Sequence, residues 1–183
     1  MKQKILFLHG LESNNKGDKV NFLKERAEIL APALNYQDEA LEEKLMYIVE
    51  NFHPDFIIGS SMGGYVGMLL ANRYGIKNLL YNPAIHSRSI EPKLNRLVHF
   101  DPNHFVDFNI VLGNQDDIID PNVTESMLLD AEVVCEIERV DMGHRIDYAV
   151  FIDMYNKYID DEHEKSERIK VQSTVFPHPK TYQ

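Results

Sequence analysis

Short apolar runs alternate with segments of helical period along this chain of 183 residues. KILFLHG (4–10) is a continuous apolar run closed by glycine, which predicts a strand buried on both faces. KGDKVNFLKERA (16–27) repeats Val20, Leu23 and Ala27 at helical spacing. EILAPAL (28–34) predicts a second, poorer strand that Pro32 ends or drives to a sheet edge. QDEALEEKLMYIVENF (37–52) collects Leu41, Leu45, Ile48, Val49 and Phe52 on one helical face. DFIIGS (55–60) predicts a strand, and GGYVGMLLANRYG (63–75) a helix closing at Gly75, a usual place for a C′ glycine.

KNLLYNPA (77–84) predicts a third clear strand, whereas residues 85–104 are polar and mixed, with room for at most one short helix. FNIVLGNQDD (108–117) predicts a strand and its exit loop. PNVTESMLLDA (121–131) opens with proline just inside a helix start. EVVCEIERV (132–140) predicts a buried strand and IDYAVFIDMYNKYID (146–160) a final amphipathic helix. Strand and helix in alternation predict an α/β fold, a mostly parallel sheet with helices on both faces. The chain shows no repeat of the length that builds solenoids. The expectation is one domain over 1–160 and a polar C-terminal tail over 161–183, solvated or loosely docked. The alternative for that tail is an arm that packs on a neighbouring subunit of a homo-oligomer.

Composition narrows the class of function. With 29 acidic against 19 basic residues the net charge is −10, and no cationic field would draw in a nucleic acid or an anionic membrane. Cys135 is the single cysteine, which rules out an internal disulfide and a Cys-rich metal site. Alternating with Val133 and Ile137, it reads as a core thiol rather than a reactive one. The apolar run after the N-terminal lysines stops at His9-Gly10, too soon for a signal-peptide core. No stretch approaches the roughly 18 apolar residues of a membrane helix. The expected compartment is the cytoplasm. The scattered histidines signal no metal, and DEHEKSE (161–167) lacks the H-E-x-x-H pattern of a zinc helix.

The candidate chemistry lies in GSSMGGY (59–65), between an apolar strand and an amphipathic helix. A serine nucleophile must stand clear of the sheet on a sharp strand-to-helix turn, and only small residues fit two positions before and after it. Gly59-Ser60-Ser61-Met62-Gly63 meets that need and selects Ser61; Ser60 would be flanked by Ile58 and Met62. The plain alternative is a glycine-rich turn or a phosphate-cradling loop at a helix N-terminus. The chain lacks both G-x-x-x-x-G-K-[ST] and G-x-G-x-x-G, which weakens the phosphate reading.

Such a nucleophile takes its partners later in the chain, acid then histidine, from loops after successive strands. GNQDDIIDP offers Asp116, Asp117 and Asp120; DMGHRID offers His144. Asp116, at the first acidic position of its loop, is the choice, with Asp117 the fallback; Asp120 before Pro121 also suits a helix cap. The oxyanion formed on attack needs preorganised donors. Backbone N–H groups of Met62 and of Leu11, in the loop HGLESN, are the candidates, with His9 expected to orient that loop.

With these residues assembled, the chain resembles the α/β-hydrolase superfamily, and within it the small bacterial esterases of the YqiA/YcfP type (the UPF0227 group). The likeness rests on ILFLHGLESN, IIGSSMGGYVG, LLYNPAI, GNQDDIID and DMGHRI, spread over roughly residues 4–160. It implies a cofactor-free, metal-free hydrolase using Ser61, Asp116 and His144 on small acyl esters or thioesters. The consecutive aspartates let the acid assignment slip by one residue, and the tail has no counterpart in the likeness. Only residues 85–104 are available for a lid, so the expectation is an open site with a short acyl pocket. Two rival readings keep the fold: a non-catalytic binding protein, and an acyltransferase or C–C bond hydrolase using the same three residues.

Overall fold

The computed structural model describes residues 2–99 and 106–160. The expected tail over 161–183, and the end of the 85–104 segment, lie outside the described residues. By its internal contacts the chain divides into a unit over Met1–Tyr148 and a second over Ala149–Gln183.

Six strands form one sheet in the first unit: β1 (Lys4–Leu8), β2 (Glu28–Leu30), β3 (Phe56–Ser60), β4 (Lys77–Tyr81), β5 (Phe108–Gly113) and β6 (Cys135–Val140). Their order is β2-β1-β3-β4-β5-β6, and each neighbouring pair is parallel. The connecting helices are α1 (Asp18–Arg26), α2 (Leu41–Phe52), α3 (Met62–Tyr74) and α4 (Pro121–Asp130). Chain direction across the sheet reverses once. From β1 the chain steps outward to β2; from β3 onward it steps the other way. Right-handed crossovers therefore put α1 on one face and α2, α3 and α4 on the other.

The side chains follow that division. Leu6, Leu8, Ile57, Leu80, Ile110 and Leu112 join Leu41, Leu45 and Val49 of α2, Val66 and Leu70 of α3 and Leu128 of α4 in one apolar cluster. The alternate positions Ile5, Phe7, Phe56, Ile58, Leu79 and Tyr81 point the opposite way and are buried as well, as are Val20, Phe22 and Leu23 of α1. Covered on both faces, β1, β3 and β4 carry apolar residues toward both, which is why their sequences do not alternate; the buried Asn78 of β4 instead accepts from Asn109 N–H and donates to Asp107 O. In the second unit α5 runs over Tyr148–Tyr155, beginning one residue before the division, and passes into a π-helical turn over Asn156–Asp160. Among the described residues no helix is long and apolar enough to cross a membrane.

Several boundaries differ from the sequence expectation for local reasons. The strand expected over 77–84 stops at Tyr81, because Asn82 turns to a φ of 41° and Pro83 has no N–H to pair. The strand expected from 132 starts at Cys135: Glu132 takes a φ of 53° and the Val133 N–H closes back on Leu128 O, so the end of α4 consumes these residues. As an edge strand, β6 is half-buried rather than buried, and Cys135 with it; burial and then the Glu125 charge push its thiol pKa up. Helix α2 begins at Leu41 rather than 37, after a turn in which the Asp38 carboxylate accepts from Ala40 N–H at 2.9 Å.

One polar residue of α2 is buried where periodicity places it outside. Glu42 is 5% exposed and accepts from the backbone N–H groups of Arg96 (2.6 Å) and Leu97 (2.9 Å) and from Arg96 Nε (3.3 Å). It pins the 94–97 turn, with buried Leu94 and Leu97, onto the helical layer. Hydrogen bonds to a buried charged group contribute about 1.5–3 kcal/mol each. Glu42→Ala should therefore cost about 2 kcal/mol net, lowering the thermal midpoint by roughly 4–8 °C for a chain of this size. An unchanged midpoint in a melting experiment would show that the turn is held by other contacts.

Candidate active site

In an all-parallel sheet every strand exit lies along one edge, and the point where chain direction reverses leaves a crevice there. Here that point falls between β1 and β3, the strands that lead into the Leu11 and Ser61 turns. The exits of β4, β5 and β6 lie in order beside them.

Ser61 is the single residue between β3 and α3, at φ 53° and ψ −119°. A non-glycine residue at positive φ is strained, and the surroundings must hold it. Ser61 N–H donates to Tyr81 O (2.9 Å), and Ser61 O accepts from Tyr65 N–H and Ala84 N–H (both 3.0 Å). The two predicted glycines allow the turn by close approach. A Cβ on Gly59 would sit 2.3 Å from Gly63 O, and one on Gly63 would sit 2.1 Å from Leu8 O and 2.6 Å from His9 O. Real Cβ atoms do not come so near a backbone oxygen.

The Ser61 hydroxyl meets His144, which follows β6: Oγ to Nε2 is 3.0 Å. His144 Nδ1 lies 2.8 Å from Asp116 Oδ2. A carboxylate oxygen only accepts, so Nδ1 carries the proton and Nε2 is free to accept from the serine. The other oxygen of Asp116, Oδ1, accepts from Ile118 N–H (2.9 Å) and Ile119 N–H (2.8 Å), which fixes the carboxylate plane. Asp116 is the buried acid of its loop, 7% exposed, and Asp117 is exposed. Asp120 caps α4, accepting from Asn122 N–H at 2.8 Å.

A cavity of about 590 Å³ opens on this chain of hydrogen bonds, lined among others by Ser61, His144, Leu11, Met62, Ile118 and Ile119. Met62 opens α3, and the first N–H groups of a helix have no acceptor within it. Leu11 follows His9 and Gly10, whose positions are tied from below. His9 Nε2 accepts from Leu34 N–H at 3.0 Å, so its Nδ1–H donates to Gly10 O at 2.7 Å. Tyr36 donates its hydroxyl proton to His9 O. His9 thus orients the loop and stands apart from the Ser61–His144–Asp116 chain.

The cavity wall also carries charge. Lys19 donates to Ile146 O at 2.5 Å; loss of hydration lowers its pKa, and Asp147 opposes that shift. Arg88 is occupied by Glu91 and by the carbonyls of Ala84 and Ile85. Among the described residues no cluster of three or more His, Cys, Asp or Glu side chains is arranged to hold a metal ion. The residue that sequence reasoning left without a role is Asn82, buried behind the site at positive φ. Its signals were an asparagine before proline at a strand end and its place in LLYNPAI, neither of which gives it a role.

The chain belongs to the family described as "Uncharacterised protein family (UPF0227)", which it matches over residues 4–146. No curated protein matches it in sequence. Its structure is similar to that of a protein of the α/β-hydrolase superfamily from Xanthomonas campestris pv. campestris, with a TM-score of 0.65, 17% identity, and coverage of 89% of this chain and 99% of that one. An esterase, Pf2001, from Pyrococcus furiosus is similar at TM-score 0.60 and 14% identity, over 90% of this chain and 83% of that one. A structure described as an alpha-beta serine hydrolase homologue from Coxiella burnetii is similar at TM-score 0.59 and 12% identity, over 87% and 84%. At these identities the likeness shows the fold, which is the α/β-hydrolase fold.

The elbow geometry predicts a contrast between glycines of one helix. Gly63→Ala drives a Cβ into backbone carbonyls and should cost more than about 3 kcal/mol, the range of severe local mechanisms. At Gly67 a Cβ would meet only flexible side-chain atoms, at 3.1 Å from Leu80 Cδ2. Gly67→Ala should stay within about 1 kcal/mol of the parent, since mild overpacking opposes a gain in helix propensity. Denaturant unfolding of both variants checks this, and equal losses would remove the close-approach argument.

Proposed function

We propose that this UPF0227 chain is a serine hydrolase that cleaves small acyl esters or thioesters through an acyl-enzyme. The observation that carries the reading is the hydrogen-bonded chain Ser61–His144–Asp116, built on a positive-φ serine at the mouth of a cavity. Supporting it, similar folds occur in proteins described as an esterase and as a serine hydrolase homologue.

Ser61 Oγ attacks the acyl carbonyl carbon while His144 Nε2 takes the hydroxyl proton. Asp116 holds the imidazole in the Nδ1–H tautomer and faces the positive charge that develops on the ring. The carbonyl oxygen becomes an oxyanion, met by the backbone N–H groups of Met62 and Leu11; one such donor lowers the barrier by about 3 kcal/mol. As the bond to the leaving oxygen or sulfur breaks, His144 returns the proton to it. Water then attacks the ester on Ser61, His144 takes the water proton, and Ser61 Oγ recovers it as the acid product leaves.

The cavity suits small acyl groups. Among the described residues the segment after β4 has no helix, and it supplies Ser87, Arg88 and Ser89 to the wall. Beyond that polar stretch, Leu11, Ile118 and Ile119 supply the apolar lining against which a small acyl group can be buried.

Ser61→Ala should reduce p-nitrophenyl acetate hydrolysis by about 10³-fold or more, the scale of losing a triad member. A fluorophosphonate probe should label Ser61 in the parent and fail to label it in His144→Ala. Turnover should fall along the ester series from acetate to palmitate. Near-normal hydrolysis by Ser61→Ala, or labelling untouched by His144→Ala, would sink the reading.

A further inference from the structure

We infer that Asn82 is a positioning residue, holding the His144 loop at the distance from Ser61 that proton transfer needs. This rests on the serine-hydrolase reading above. Asn82 is 1% exposed and its backbone sits at φ 41°, a conformation asparagine tolerates better than most residues. Both polar atoms of its amide are engaged. Oδ1 accepts from Gly113 N–H at 2.8 Å, at the end of β5. Nδ2 donates to Gly143 O at 3.2 Å and to His144 O at 3.1 Å. The partners settle the amide orientation, because an N–H only donates and a carbonyl only accepts.

No other side chain does this from the same place. Aspartate has the shape but not the two donors; leucine has neither; glutamine is one methylene too long for the gap. The neighbours of Asn82 hold the serine in turn. Tyr81 O accepts from Ser61 N–H and Ala84 N–H donates to Ser61 O. Residues 81–84 therefore grip the backbone of the serine on one side and the carbonyls of residues 143 and 144 on the other. The 3.0 Å between Ser61 Oγ and His144 Nε2 is set across this four-residue strand exit. Asp116 orients the imidazole ring; Asn82 places the backbone from which the ring extends.

A purely structural amide and a positioning amide differ in what they change. Loss of a structural amide lowers the folded fraction and leaves each folded molecule as fast as before. Loss of a positioning amide slows each folded molecule, because a misplacement of about 1 Å can cost 10²-fold in rate. Asn82→Gly keeps the positive-φ backbone and removes the amide. Asn82→Asp keeps the volume and the acceptor, removes both donors and turns a negative charge toward the histidine loop.

The test is steady-state kinetics on p-nitrophenyl acetate, with sites counted by fluorophosphonate titration and folding followed by circular dichroism. Asn82→Gly is expected to lower kcat per titrated site by about 10- to 100-fold, with KM within twofold. Asn82→Asp is expected to lower kcat and to move the acid limb of the kcat/KM profile to higher pH, since a nearby anion stabilises the imidazolium. Folded Asn82→Gly with the parent kcat per site overturns the inference, and so does an acid limb unmoved in Asn82→Asp. Failure of both variants to fold overturns it too, because the amide would then serve the fold and not the histidine. A parent protein that neither turns over the ester nor takes the probe at Ser61 sinks the hydrolase reading, and this inference with it.

Discussion

The structure depends on how closely the start of α3 approaches the end of β1. Gly63 leaves so little space that an added Cβ would overlap the carbonyl oxygens of Leu8 and His9. That contact lets the chain leave β3 and enter a helix within one residue. A wider turn would lay the Ser61 side chain along the sheet edge. The narrow one forces Ser61 to positive φ and lifts its hydroxyl into the cavity. The same contact brings the first N–H groups of α3 beside the loop after β1, so the proposed nucleophile and the proposed oxyanion donors arise from one steric event.

A strained serine must be held from outside. The grip comes from the neighbouring strand β4 and its exit, through Tyr81 O and Ala84 N–H. Parallel pairing makes this available, because β3 and β4 end at the same edge with Ser60 beside Tyr81. The acid and the histidine need a different kind of support, since each lies on a loop. Asp116 binds two N–H groups of its own loop, Ile118 and Ile119, and so is positioned locally. His144 is held by distant groups, Asp116 at the ring and Asn82 at the backbone, while Gln115 N–H on Met142 O and Lys19 on Ile146 O hold the residues two positions to either side.

That difference decides what could be read from the sequence. Glycines around Ser61 were legible because a steric requirement falls on fixed neighbours in the chain. The parallel sheet was legible because short apolar runs alternate with segments of helical period, which makes each connection a crossover. Asp116 could be ranked but not separated from Asp117, since the choice turns on which carboxylate points inward, and sequence adjacency says nothing of that. Asn82 and Glu42 were not legible. Their partners lie 31 to 62 and 54 to 55 residues away, and a polar side chain that binds distant backbone looks like any other polar side chain. Strand β6 was overread for the opposite reason: its apolar residues suited a buried strand, while its place at the sheet edge left them half-covered.

Glu42 and Asn82 do related work on the segment that leaves β4. Asn82 fixes its start against the histidine loop, and Arg88 ties the next turn to the Ala84 and Ile85 carbonyls. Glu42 then fastens residues 96 and 97 to α2. Held at these points, and by His86 at Thr124 and the Asp120 carbonyl, this stretch supplies Ser87, Arg88 and Ser89 to the cavity wall. A flap that opens at a lipid surface needs an apolar underside and few anchors; this stretch presents Ser87, Arg88 and Ser89 to the cavity and is anchored at several positions. The proposed preference for small acyl groups therefore does not depend on cavity volume. It rests instead on hydrogen bonds made by residues outside the proposed catalytic chain, which hold this described stretch in place beside an apolar lining that includes Leu11, Met62, Ile118 and Ile119.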